Sequence, residues 1–94
     1  MSEGRKDDED KLDWSLVPFD GMEDVVKVLM YGEKIYDRDN WKKVEGWKTR
    51  YFSAAFRHLI KWASGEKIDP DTGVSHLAHA VCSLLFILSK EKKK

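Results

Sequence analysis

The 94-residue chain has one cysteine, two prolines, no net formal charge and no long apolar run. Because Cys82 has no second cysteine to pair with, an intramolecular disulfide is excluded, and the thiol is expected to pack as a small hydrophobe in a reducing cytosol. A membrane-spanning helix needs about 18–20 consecutive apolar residues, so a membrane location is not expected. General nucleic-acid binding is not expected either, because domains that bind nucleic acids are usually strongly basic and this chain has no net formal charge.

Common catalytic signatures are also missing. The sequence contains neither a glycine-rich phosphate loop nor a convincing Ser-His-Asp arrangement. Cys82 lies in the apolar stretch LAHAVCSLLFIL, and such surroundings raise the pKa of a thiol and weaken it as a nucleophile. Any chemistry is therefore left to other polar side chains.

Apolar residues recur at three- and four-residue spacing in three segments, which predicts an all-α fold of three helices. We expect the helices at about residues 20–36, 47–64 and 74–89, with Asp20 capping the first and Gly65 ending the second. The apolar residues that precede the first helix are expected to pack onto the helical body; they are Leu12, Trp14, Leu16, Val17 and Phe19.

A single helical domain is predicted over residues 11–90, between an acidic segment at residues 1–10 and a basic tail at residues 91–94. Both flanks are expected to be disordered because they lack apolar periodicity. The third helix is apolar nearly all round, so more than one neighbour must cover it. We therefore expect this three-helix unit to assemble into a helical-bundle homo-oligomer.

The three histidines lie close in the sequence to two acidic residues of a turn. His76 and His79 share one face of the third helix, and His58 lies on the preceding, antiparallel helix. Glu66 and Asp69 lie in the connection between them. Imidazoles with carboxylates suit Zn²⁺, Mn²⁺ or Fe²⁺ better than Mg²⁺. The alternatives are a hydrogen-bonded histidine pair without a metal, and a pocket for an anion.

Basic side chains form a stripe on the second helix. Arg50, Arg57 and Lys61 are seven and four residues apart, and His76 is expected near a helix start, where unpaired N–H groups favour anions. Aromatic residues such as Trp41 are able to stack on a base beside them. The alternatives are a solvated helix face for the basic residues and core packing for the aromatic ones.

Three blocks of the sequence, within about residues 11–88, resemble a known family. They are KLDWSLVPFDGMEDVVKVLMYGEKIY, NW and RHLIKWASGEKIDPDTGVSHLAHAVCSLLFIL. They resemble the phage-encoded family of dATP/dGTP diphosphohydrolase N-terminal domains, which are MazG-like, all-α, nucleotide-handling proteins. The positions that match its pattern are Lys11, Asp13, Pro18, Lys27, Gly32, Lys34, Tyr36, Asn40, Trp41, Arg57, His58, Trp62, Gly65, Glu66, Asp69, Gly73, His76 and His79.

The resemblance implies a nucleotide-binding protein of the infected bacterial cytoplasm, and a metal-dependent diphosphohydrolase of purine deoxynucleoside triphosphates. Glu66, Asp69 and His79 would be catalytic, and the same three with His76 would hold Mg²⁺ or Mn²⁺. The expected nucleotide-binding residues are Lys27, Lys34, Tyr36, Asn40, Trp41, Arg50, Arg57, His58, Lys61 and His76. The alternative is a non-catalytic anti-defence protein that sequesters an immune signalling nucleotide without a metal.

Overall fold

The computed structural model describes residues 9–93 and is all-α within that range, as predicted. Helix α1 spans Phe19–Ile35, α2 spans Trp47–Ala63 and α3 spans His76–Lys92. Short 3-10 helices at Trp14–Leu16 and Asn40–Lys43 precede α1 and α2. Residues 9–93 contain no strand, apart from one isolated antiparallel bridge. No helix in this range is long and apolar enough to cross a membrane.

Helix α3 is the central element, because it packs extensively against α2 and less extensively against α1. Its contact with α1 buries Ala78 and Cys82 of α3 against Val25 of α1. The Cys82 thiol donates a hydrogen bond to the Val25 carbonyl oxygen at 3.4 Å, and burial raises the pKa of Cys82 to about 11. Ala55 of α2 and Ala80 of α3 are also buried, and such small side chains let helices approach closely.

The helix ends differ in detail from the sequence prediction. Asp20 lies in the first turn of α1 but does not cap it; the cap position is Pro18, whose carbonyl accepts the Met22 N–H at 3.1 Å. Helix α3 begins at His76 because the Ser75 side chain accepts the N–H of Leu77 and caps the first turn.

The prediction for the end of α2 is confirmed, since Gly65 follows the cap with a positive φ of 108°. Helix α3 runs on to Lys92, so the first part of the predicted basic tail is helical. Residues 1–8 and Lys94 lie outside the described range, and the disorder predicted for both flanks stays a prediction there.

The segment before α1 does not pack onto the helices as predicted. Leu12, Trp14 and Leu16 are between 71% and 79% exposed, and Phe19, the first residue of α1, is 64% exposed. Val17 alone among the five predicted residues is half-buried. Large apolar side chains are also exposed on all three helices, because α1 and α2 each use one face to contact α3. The predicted homo-oligomer stays a prediction, and these side chains are the surface that it would cover.

Candidate functional site

The turn between α2 and α3 fixes one carboxylate in place. The Asp69 N–H donates to the Val74 carbonyl at 3.0 Å, and its own carbonyl accepts the Gly73 N–H at 2.8 Å. One oxygen of its side chain, Oδ1, accepts the Asp71 N–H at 2.8 Å. Asp69 is only 9% exposed. Its other oxygen, Oδ2, therefore points from a rigid backbone toward the histidines.

His58, Asp69 and His79, which we call the histidine cluster, meet at this oxygen. Oδ2 of Asp69 lies 3.7 Å from Nε2 of His79 and 4.0 Å from Nδ1 of His58. One nitrogen or oxygen atom from each residue lies within 4.8 Å of the other two. The imidazoles of His58 and His79 stack, with centroids 4.6 Å apart and planes at 13°. Three separate elements, α2, the turn and α3, thus bring three ligand-type side chains together.

Burial favours the neutral form of the two imidazoles of the histidine cluster. Burial lowers the pKa of His58 most, His79, His76 and Arg57 lower it further, and Asp69 opposes them. Burial is also the main cause that lowers the pKa of His79, while Asp69 raises it and His76 lowers it. Neutral imidazole is the form that carries a free lone pair for a metal ion or a proton.

A second layer lies behind His58. His76 is only 3% exposed; its Nδ1 lies 2.8 Å from Nδ1 of His58, and its Nε2 lies 2.7 Å from Oε2 of Glu66. In the tautomer in which His76 donates its Nε2–H to the Glu66 carboxylate and carries no proton on Nδ1, that Nδ1 accepts the proton on Nδ1 of His58. Nε2 of His58 is then left without a proton. Glu66 and His76 thereby set the tautomer of His58.

The site residues predicted from the sequence divide accordingly. Of the four predicted metal ligands, Asp69 and His79 lie together, whereas Glu66 and His76 contact each other in the second layer. His58, predicted to bind nucleotide, lies within the histidine cluster. The distinction depends on the turn geometry around Asp69, which residue spacing alone does not fix.

A cavity of about 510 Å³, the aromatic cavity, opens beside the histidine cluster. Its walls come from α1, the Asn40–Lys43 helix, α2 and α3, and they include Tyr36, Asn40, Trp41, Tyr51, His79 and Phe86. Trp41 stacks on Phe86, with centroids 4.8 Å apart and planes at 9°. Burial raises the pKa of Tyr51, whose hydroxyl donates to the Trp41 carbonyl at 3.4 Å. The cavity is therefore aromatic at one end and has His79 in its wall.

A second depression of about 640 Å³, the arginine groove, adjoins the aromatic cavity. Arg50 and Arg57 line it, and Tyr36, Asn40 and Tyr51 line both spaces. The Arg57 guanidinium donates to Ser53 Oγ at 3.0 Å, and neither arginine forms an ion pair with a carboxylate of residues 9–93. Both arginines are thus able to meet an anion in the groove.

All three predicted nucleotide-binding lysines lie outside the aromatic cavity and the arginine groove. Lys27 pairs with Asp24 at 3.7 Å on the exposed side of α1. Lys34 and Lys61 line neither the aromatic cavity nor the arginine groove. Conversely, the sequence prediction missed Tyr51 and Phe86 in the cavity wall. Both lie on the core-facing sides of their helices, and Tyr51 precedes His58 by two helical turns, which was the available signal.

Comparisons with known proteins identify the family of this chain. The model of the family described as dATP/dGTP diphosphohydrolase, N-terminal, matches residues 1–94. A protein of Salmonella phage PMBT28 named dATP/dGTP diphosphohydrolase is 37% identical over 86 residues, which are 89% of this chain and 28% of that protein. The chain thus spans little more than a quarter of that relative's length. No solved structure matches the chain significantly. The chain belongs to the dATP/dGTP diphosphohydrolase N-terminal family.

Proposed function

We propose that this domain binds a purine deoxynucleoside triphosphate and takes part in its hydrolysis to the monophosphate and pyrophosphate. The observation that carries the proposal is the junction of the aromatic cavity with the arginine groove, through the shared walls of Tyr36, Asn40 and Tyr51. One compartment suits a base and the other suits phosphates. The name of the phage relative, which refers to dATP and dGTP, supports the purine substrate.

The base is placed at the aromatic end of the cavity. Tyr36 is 64% exposed at the mouth, so its ring is free to close over a ligand. Stacking of one base on an aromatic side chain contributes about 1–3 kcal/mol. The Asn40 side-chain amide offers both a donor and an acceptor to the edge of a purine. Trp41, stacked on Phe86, forms a rigid wall rather than a mobile one.

The phosphates are placed along the arginine groove. Arg50 and Arg57 are two turns apart on α2, which is about 10 Å along the helix axis. Guanidinium groups bind phosphate oxygens through two parallel hydrogen bonds, a geometry that lysine does not reproduce. The Ser53 hydroxyl, which accepts from Arg57 at 3.0 Å, orients that guanidinium in the groove.

Hydrolysis is assigned to the end of the cavity where His79 lies. In the reaction, a water oxygen bonds to the α-phosphorus, the bond from that phosphorus to the bridging oxygen breaks, and pyrophosphate leaves. Asp69 and His79 keep their proposed catalytic role here, because His79 lines the cavity and Asp69 Oδ2 lies 3.7 Å from its Nε2. Glu66 is reassigned as a positioning residue, since it acts through His76. The chemistry that a bound divalent ion supplies is charge neutralisation and water activation.

The experiment is calorimetric titration with each of the four deoxynucleoside triphosphates, followed by chromatography of the mixture with and without Mn²⁺. We expect dATP and dGTP to bind more tightly than dCTP and dTTP, and to yield monophosphate and pyrophosphate when Mn²⁺ is present. Arg57→Ala should weaken binding at least tenfold. Lys61→Ala on the same helix is the matched control and should not. Nucleotide recovered intact in all conditions would instead support sequestration, and no binding would overturn the proposal.

A further inference from the structure

We infer that His58, Asp69 and His79 form a binding site for one divalent transition-metal ion of the Zn²⁺, Mn²⁺ or Co²⁺ class, and that His76 and Glu66 position it. The inference deepens the proposed function. The role of the ion in acting on a nucleotide rests on that function, but the binding of the ion does not. The two are therefore testable separately.

The distances within the histidine cluster are close to those of a metal site. A tetrahedral ion with ligands about 2.1 Å away holds its ligand atoms about 3.4 Å apart. Asp69 Oδ2 lies 3.7 Å from Nε2 of His79, which exceeds this by about 0.3 Å. Its distance of 4.0 Å to His58 is to Nδ1, the nitrogen that contacts His76, and one nitrogen or oxygen of each of the three residues lies within 4.8 Å of the other two. Binding through Nε2 of His58 therefore requires the side chains to close around the ion.

The chemistry of the ligand set selects the class of ion. Two imidazoles and one carboxylate are the ligands that zinc and the neighbouring first-row metals prefer. Mg²⁺ favours an octahedron of oxygens and keeps most of its waters, so it is disfavoured at this set. Three protein ligands also leave a coordination position for water or a phosphate oxygen, as in catalytic rather than structural zinc sites.

One rearrangement is required for binding. A bound ion lies near the plane of each imidazole that holds it, and the rings of His58 and His79 are only 13° from parallel. One ring therefore has to turn about its Cβ–Cγ bond. The ring of His79 is the one expected to turn, because its bond at 2.7 Å to the Thr72 hydroxyl is replaceable, whereas His76 holds His58.

The second layer matches what metal-binding histidines need. A ligating imidazole usually donates its other N–H to a fixed acceptor, which sets the tautomer and the ring orientation. His58 does so toward His76 at 2.8 Å, and His76 in turn bonds Glu66 at 2.7 Å. The contact with His58 lies at the buried side of the cluster, because His76 is only 3% exposed, whereas the Glu66 side chain is 43% exposed. Nε2 of His58 is the atom left free to bind.

The same residues have a structural alternative, in which the histidines only fasten the turn to α2 and α3. To separate the two, the full chain is stripped with a chelator and titrated without nucleotide. Zn²⁺ and Mg²⁺ are followed by calorimetry, and Co²⁺ by its visible absorption. We expect one Zn²⁺ or one Co²⁺ per chain, a tetrahedral cobalt spectrum and no comparable Mg²⁺ uptake.

Variants locate the site. Asp69→Asn and His79→Gln should abolish stoichiometric uptake, and His76→Gln should weaken it by about 10- to 100-fold. Asp71→Asn, an exposed acid in the same turn, is the matched control and should bind as the wild type does. Wild-type protein with ¹⁵N-labelled histidine keeps the test valid if a variant does not fold. Zn²⁺ should shift the ring nitrogens of His58 and His79 more than those of His76.

Absence of uptake, or uptake unaffected by Asp69→Asn, would overturn the inference. Nucleotide binding that is lost in Arg57→Ala but present in the metal-free wild type would leave the proposed function standing by itself. Metal uptake without any nucleotide binding would leave the metal site standing and overturn the proposed function. The outcomes for the metal site and for the nucleotide site are therefore distinguishable.

Discussion

The turn between α2 and α3 and the segment before α1 differ in which side chains they bury. The turn region buries polar groups, with Asp69 at 9% and His76 at 3% exposed, and each has hydrogen-bond partners. The segment before α1 leaves Leu12, Trp14 and Leu16 at least 71% exposed. A small domain buries only a limited fraction of its surface. Here that interior holds a polar cluster, and apolar surface remains outside.

The two regions differ in how they are stabilised: the polar region by local hydrogen bonds, and the apolar region only by a partner that covers it. Backbone and side-chain hydrogen bonds within residues 66–79, and the contact between His58 and His76, connect the groups of the polar region to one another. The exposed apolar region has no such local solution, because apolar surface is stabilised only when other atoms cover it. The predicted homo-oligomer would supply that cover.

The largest expected effect concerns Cys82, at the contact of α3 with α1. Its pKa of about 11 leaves roughly one thiol in a thousand ionised at pH 8. Alkylation by iodoacetamide at pH 8 should therefore be about a hundredfold slower in the folded protein than in urea. Mass spectrometry over time measures both rates. Equal rates would mean that the contact between α1 and α3 opens readily.

A second prediction concerns His76, the most buried residue of the polar region. His76→Ala should lower the free energy of unfolding by about 2–4 kcal/mol, because it leaves a cavity and removes a hydrogen-bond partner from His58 and from Glu66. Urea denaturation followed by circular dichroism measures the loss. Asp71→Ala in the exposed part of the turn is the control, with an expected change within about 0.5 kcal/mol. Equal effects from both would contradict the contrast.

A third prediction compares two glycines. Gly73 has a φ of 75°, and its N–H holds the Asp69 carbonyl, so Gly73→Ala should cost about 1–2 kcal/mol. Gly21 lies in the first turn of α1 with open space around its Cα, so Gly21→Ala should stabilise the fold by about 0.5 kcal/mol. Thermal unfolding of the two variants should shift in opposite directions. A shift of the same sign would sink the account of the turn.

The sequence predicted the helices well because their apolar spacing is long and regular. It placed the cap of α1 at Asp20, which lies inside the first turn. It predicted no helix at residues 40–43, where the structure has a short 3-10 helix, because nothing in NWKK repeats with helical spacing. Within the site, it grouped Asp69 with His79, but it did not separate the layer that contains Glu66. That separation arises from the bonds that fix Asp69, which are properties of the folded turn.

The smallest expected stability effect concerns the exposed region. Trp14→Ser should change the free energy of unfolding of a monomer by less than about 0.5 kcal/mol, because the side chain is 71% exposed. Light scattering at micromolar concentration should give a mass that is a multiple of 11.0 kDa. If this segment lies in the interface, the mass should fall in the variant. A monomeric wild type would refute the predicted oligomer.

The central claim is that the aromatic cavity and the histidine cluster form one site. It is tested most directly by a crystal structure with Mn²⁺ and a dGTP analogue that carries a methylene bridge between its α- and β-phosphates. The account predicts the guanine against Trp41 and Tyr36, and an anomalous Mn²⁺ peak among His58, Asp69 and His79. A guanine outside the aromatic cavity, or Mn²⁺ bound only to phosphates away from those three residues, would contradict it.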